Sequence, residues 1–165
     1  MSVDSVREYL KGFGLDGKVK EFEVSSATVE LAAEAAGVIP ARIAKTLSFK
    51  VGDGAVLIVA AGDAKIDNRK YKDQFGTKAK MLTPEEVIEY TGHAIGGVCP
   101  FDIKDERVTA YLDVSMKRFD TMLPAAGSSS SCVVLTLEEL ERASKSAGWI
   151  DVCKLPEEYV SFFIF

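Results

Sequence analysis

The sequence predicts an α+β fold, a mixed, largely antiparallel sheet surrounded by helices, and two observations carry that prediction. Strand-like and helix-like segments interleave irregularly instead of alternating one for one. Tight turns join several of the strands, most plainly at Gly52-Asp53-Gly54 between two apolar runs. A doubly wound parallel sheet would need long crossovers at those places.

The elements follow in order. Val3, Val6, Leu10 and Phe13 recur at helical spacing, and Gly12 and Gly14 close that helix. Residues 19–24 read as a short strand. Ser25, Ser26 and Thr28 offer caps to a helix with Val29, Ala32, Ala33 and Ala36 on one face, stopped by Gly37. Residues 40–44 read as a further turn leading into Lys45. Residues 46–51 and 55–60 are the strands of the hairpin. Residues 67–75 are polar and helical, and 79–82 read as a short strand.

Thr83-Pro84-Glu85-Glu86 is a capping box with proline at the first helical position; its helix runs to about Thr91 and stops at Gly92. Residues 108–113 alternate as a strand. Residues 122–126 and 132–135 read as strands flanking Gly127 and a serine run, Ser128 to Ser131, that reads as a flexible turn. Thr136 with Glu139 is a second capping box, for a helix stopping at Gly148. Residues 149–153 add an edge strand. The apolar tail from Tyr159 to Phe165 takes no place in this scheme.

At 165 residues the chain suits one domain, and 47% apolar with 27% charged residues is ordinary for a globule. No apolar run approaches the roughly 18 residues of a membrane span. Asp4, Arg7 and Glu8 stand where a signal peptide would be apolar, so a cytoplasmic protein is expected. Three cysteines, no Cys-x-x-Cys pair and the single histidine His93 argue against a zinc site or a disulfide framework. With a net charge of −5, nucleic-acid contact has to be local. Lys65, Arg69, Lys70, Lys72, Lys78 and Lys80 form the candidate patch, against the plainer reading of a solvated helix face.

Gly96-Gly97-Val98-Cys99-Pro100-Phe101 carries the main functional signal. Adjacent glycines before a Pro-Phe stop let a loop adopt positive φ and aim several N–H groups at one point. It is either a structural turn or a donor cradle for a carbonyl oxygen. Lys45, between a helical turn and a strand start, is either an ordinary exposed lysine or the cation completing that site. Asp113 at a strand end is a turn cap or a binder of a substrate amine or hydroxyl. Cys99 reads as a buried filler thiol more readily than as a nucleophile, and His93 as a surface or loop residue.

These pieces occur in one order: an Ala-rich helix ending at Gly37, Lys45-Thr46-Leu47, Thr91-Gly92, Gly96-Gly97-x-x-Pro100-Phe101, Tyr111-Leu112-Asp113, Ala125-Ala126-Gly127 and a capped last helix. The order resembles the YbaK/EbsC family, related to the prolyl-tRNA synthetase editing domain, over roughly residues 1–155, leaving 156–165 as a tail. The resemblance implies a compact, partly barrel-like domain that deacylates mischarged tRNA with no metal, no cofactor and no protein nucleophile. It implies catalytic roles for Lys45, Gly96 and Gly97. The substrate-binding positions are then Thr46, Thr28, Phe22, Val98, Pro100, Asp113, Ala125 and Gly127.

It also implies aminoacyl-tRNA as partner, met by the patch around Lys65, Arg69, Lys70 and Lys72, with prolyl-tRNA synthetase as a further candidate. Members acting on cysteinyl-tRNA carry a Ser-Gly-Gly-Lys-Arg-Gly-Leu-Asp run near the C-terminal strands. Here Ala125 and Cys132 replace its serine and aspartate, so a small acyl group such as alanine, serine or threonine is expected, with Asp113 a candidate for the missing carboxylate.

Overall fold

The computed structural model describes residues 2–156, so the tail from Tyr159 to Phe165 lies outside the described residues. Helix α1 (Val3–Lys11) is opened by a Ser2–Ser5 capping box and buries Val6 and Leu10 completely. Strand β1 (Val19–Glu21) is half the expected length. Helix α2 (Val29–Ala36) is capped by the Thr28 hydroxyl, which accepts from Leu31 N–H, and closed by Gly37 in the left-handed conformation. Gly12-Phe13-Gly14-Leu15-Asp16-Gly17-Lys18 has the Gly-x-x-x-x-Gly-Lys spacing of a phosphate loop but Val19 where that loop carries Ser or Thr. It leads from helix α1 toward strand β1, the reverse of the strand-to-helix context that such a loop requires.

After a 3₁₀ turn at Pro40–Arg42, β2 (Ile43–Val51) and β3 (Gly54–Ala61) form the expected antiparallel hairpin, in register from Ala44↔Ala61 to Val51↔Gly54. Strand β2 therefore begins before Lys45, not after it. Ile43 and Ala44 pair in parallel with residues 80 positions later in the chain, a contact that no local signal announces. A two-residue strand, β4 (Lys65–Ile66), precedes α3 (Asn68–Phe75). Residues 79–82 make only an isolated bridge, Met81 to Phe49, because Pro84 and the Thr83 cap at once start α4 (Pro84–Thr91).

Strand β5 (Val108–Asp113) leads through a 3₁₀ turn, Val114–Arg118, to β6 (Thr121–Pro124), β7 (Ser131–Val133) and β8 (Leu135–Thr136). Helix α5 (Leu137–Ser144) ends earlier than expected, at Lys145 with φ 51°. Just beyond it Ala147 N–H bonds Ala110 O and Gly148 O accepts from Leu112, which draws the chain along β5. The expected edge strand divides into β9 (Trp149–Ile150) and β10 (Cys153–Lys154).

The main sheet runs β8-β6-β2-β3-β5-β9. Its β2–β3 and β6–β8 pairs are antiparallel, and β2–β6, β3–β5 and β5–β9 are parallel. Two small antiparallel sheets, β1–β7 and β4–β10, complete a mixed sheet with helices around it. The core gathers Leu10, Ile58, Phe101, Leu112, Met122 and Leu140, and a smaller cluster of Ala32, Ala33, Ile43, Leu123 and Cys132 lies beside it. No helix among the described residues is long and apolar enough to cross a membrane.

Candidate active site

A cavity of about 250 Å³ opens over the first half of β2. Residues 43–48 form its floor. The start of α2, with Thr28, Val29 and Ala32, forms one wall, and Met81, Leu82 and Val87 another. Ile95, Gly96 and Val98 of the glycine loop face Leu123, Ala125 and Cys132 from β6 and β7. Lys45, Thr46, Thr28, Gly96, Val98 and Ala125 thus meet in one cavity.

The Lys45 ammonium donates to Gly62 O at 3.3 Å and to Ala64 O, carbonyls of the turn that follows β3. Burial pulls its pKa below the usual 10.5, and the nearby Asp63 charge only partly opposes this. The buried Oγ1 of Thr46 has no hydrogen-bond partner among the described residues.

The two glycines serve close approach. Gly96 has φ 95°, and a Cβ there would lie 3.2 Å from the Ala27 Cβ. A Cβ on Gly97 would lie 2.9–3.0 Å from the Ser128 backbone. The loop thus packs closely against Ala27, Ser128 and Ser129. The serine run is hydrogen-bonded: Ser128 Oγ donates to Ser131 Oγ at 2.8 Å, and Ser129 O accepts from Ser26 N–H at 2.6 Å. Gly97 N–H is spent on Ala94 O at 3.0 Å, so it is not a free donor.

Several expected positions lie elsewhere. Asp113 is 1% exposed; its oxygens accept from Ser115 N–H and Val152 N–H, both at 2.9 Å, and from the Cys153 thiol. It caps the 3₁₀ turn and is not available to a substrate, so it does not stand in for the carboxylate lost at Cys132. Phe22 packs on the outer cluster of Ala32, Ile43 and Leu123. Pro100 lines a different cavity with Tyr9 and Lys145. Gly127 makes room for α1, since its Cβ would come within 2.6 Å of Ser2 O.

Cys99 is fully buried, with its thiol pushed up to about 12 by desolvation, so it is no thiolate nucleophile. His93 is completely buried instead of lying at the surface; Nε2 is 2.9 Å from Phe101 O and its Nδ1 has no partner among the described residues. It ties the two ends of the glycine loop together.

Lys65, Arg69, Lys72, Lys78 and Lys80 are exposed, whereas Lys70 is engaged with Asp151 at 3.0 Å and Cys153 O at 3.1 Å. Lys65 directly follows the turn that holds Lys45, Arg69 lies in the first turn of α3, and Lys154 pairs with Lys65 across β4–β10. The carbonyls of Gly62 and Ala64 were beyond sequence reasoning, although Gly62-Asp63 after an apolar strand is itself a turn signal.

A family model described as an aminoacyl-tRNA editing domain matches residues 23–143. The uncharacterized protein YwhH of Bacillus subtilis (strain 168) is 57% identical over 155 residues, 93% of this chain and 98% of that one. The proline–tRNA ligase of Thermosipho melanesiensis is 34% identical over 94 residues, which span 56% of this chain but 17% of the ligase. A crystal structure described as a candidate trans-editing enzyme for prolyl tRNA synthetase matches with a TM-score of 0.83 and 31% identity, over 92% of this chain and 96% of that one.

Proposed function

We propose that this chain, which belongs to the aminoacyl-tRNA editing domain family, acts in trans as a deacylase on a tRNA bearing a small wrong amino acid. Residues 1–155 are the proposed editing unit, and tRNA for proline is the proposed acceptor. The observation that carries the reading is that Lys45 and Gly96 line one small cavity whose other walls are mostly apolar.

The substrate is an ester between an amino acid and a ribose hydroxyl. Its hydrolysis builds negative charge on the carbonyl oxygen. The Gly96 loop, of which Gly96 and Val98 line the cavity, is the proposed source of backbone N–H donors to that charge, the role first expected of the Gly96-Gly97 pair. The Lys45 cation, already oriented by two carbonyls, holds the terminal phosphate or ribose. Among the described residues no carboxylate or histidine lines the cavity, and water or the neighbouring ribose hydroxyl is the proposed attacking group. Thr46 lines the cavity beside Lys45 and is a proposed contact of the acyl group. The exposed Lys65, Arg69 and Lys72 meet the phosphates of the acceptor arm.

A panel of tRNAs charged with alanine, serine, threonine, cysteine and proline tests this reading. The expected result is hydrolysis of one or more of the small non-cognate acyl groups and sparing of proline. Tight binding of tRNA or synthetase without hydrolysis of any member would select a non-catalytic binding module, which the net charge of −5 and the altered run at residues 128–131 favour as the second reading.

A further inference from the structure

We propose that Arg118 and Asp63 are positioning residues for Lys45: their ion pair fixes the turn at residues 61–64, whose carbonyls hold the Lys45 ammonium in one place beside the cavity that this residue lines. The inference rests on Lys45 being the cation of the site.

A lysine head on a flexible four-carbon stem adopts one position only where its donors are tied. Here the ties are Gly62 O and Ala64 O, so the placement of Nζ is the placement of that turn. The turn is held from several sides. A Cβ on Gly62 would lie 2.1 Å from Pro40 O and 2.7 Å from Val29 Cγ1, so the chain is pressed against the approach to β2. Ala61 N–H donates to the Ser115 hydroxyl at 3.1 Å, and Ala64 N–H to Ala61 O at 3.0 Å.

Asp63 sits between the two carbonyls. Its carboxylate accepts both Nη groups of Arg118, at 2.9 and 2.5 Å, while Arg118 Nε donates to Ser115 O at 2.8 Å. The side chains of Arg118 and Asp63 are 12% and 21% exposed, so the fork works largely out of water. Arg118 thereby joins the turn behind Lys45 to the 3₁₀ turn that Asp113 caps. Neither residue of the pair lines the cavity.

The test is the mobility of the Lys45 Cε methylene, read as an order parameter from ¹³C relaxation in wild type, Arg118→Lys and Asp63→Asn. Arg118→Lys keeps the charge and loses the fork; Asp63→Asn keeps the shape and loses the charge. In wild type the Lys45 value stands well above that of exposed Lys65. The expected result is a fall to the Lys65 value in the variants, with backbone values unchanged. A fall confined to Lys45 in either variant supports the assignment, and its absence from both overturns it.

On the substrate that the panel identifies, a variant with a loosened Lys45 loses about 10- to 100-fold in kcat/KM, with kcat lowered. A wild-type kcat in such a variant overturns the positioning role. The relaxation measurement needs no tRNA, so a wrong substrate assignment leaves its result standing.

Discussion

At Lys45, burial opposes charge while two carbonyls orient what charge remains. The folded protein holds this proton less tightly than the unfolded chain, so the ammonium is lost at a pH below the ordinary 10.5. Deacylation, corrected for spontaneous ester hydrolysis, is therefore expected to fall on the alkaline side before pH 10.5 is reached; a rate that climbs without a break through that region would deny the cation its role. His93 gives a second pH dependence, of stability. Its folded pKa lies below 6.5 because burial disfavours the charged ring. Its contribution is thus complete above pH 6.5 and is lost as pH falls toward the folded value. Thermal melts of wild type and His93→Gln should diverge in slope below pH 6.5, the variant being flatter. Gly97→Ala forces a methyl to within 3.0 Å of the Ser128 backbone and should cost about 1–3 kcal/mol in a denaturant titration. The special backbone of the glycine loop was legible in the sequence because only a few residue types permit it. The burial of His93 and the capping work of Asp113 were not, because both depend on what the rest of the chain places around them.

Elements set by local chemistry match their sequence signals closely. The capping boxes at Thr83 and Thr136 open α4 and α5, and Gly37, Gly76 and Gly92 close their helices in the left-handed conformation. Thr83→Ala should destabilise the protein by about 1 kcal/mol and loosen the cavity wall at Leu82 and Val87, measurable as a lowered melting temperature. An unchanged melt would mean that packing alone holds α4. Elements set by distant pairing were not legible. Strand β4 exists because β10 lies beside it, and β2 starts early because β6 runs parallel to its first two residues. That second pairing moves Lys45 from the mouth of a strand to its third residue, within reach of Gly62 and Ala64.

Across the whole molecule the cavity is assembled from four separate stretches: residues 26–32, 43–48, 81–98 and 123–132. The order of motifs in the sequence pointed to their convergence, but not to which side chains face inward. All three cysteines are buried. Thiol alkylation of the folded protein should leave activity intact, whereas loss of activity at a rate matching modification of Cys99 would favour a thiol mechanism. Binding to tRNA should weaken with salt, and removing Lys65 or Arg69 should each lower the slope of log affinity against log salt by about one.

The most direct test of the site is the single-turnover rate of ester hydrolysis on the preferred mischarged tRNA, compared between wild type and Lys45→Ala. The predicted result is a loss of about 100-fold or more in a variant that still melts cooperatively. Equal rates in the two proteins would contradict the assignment of Lys45 and the Gly96 loop to one reacting ester.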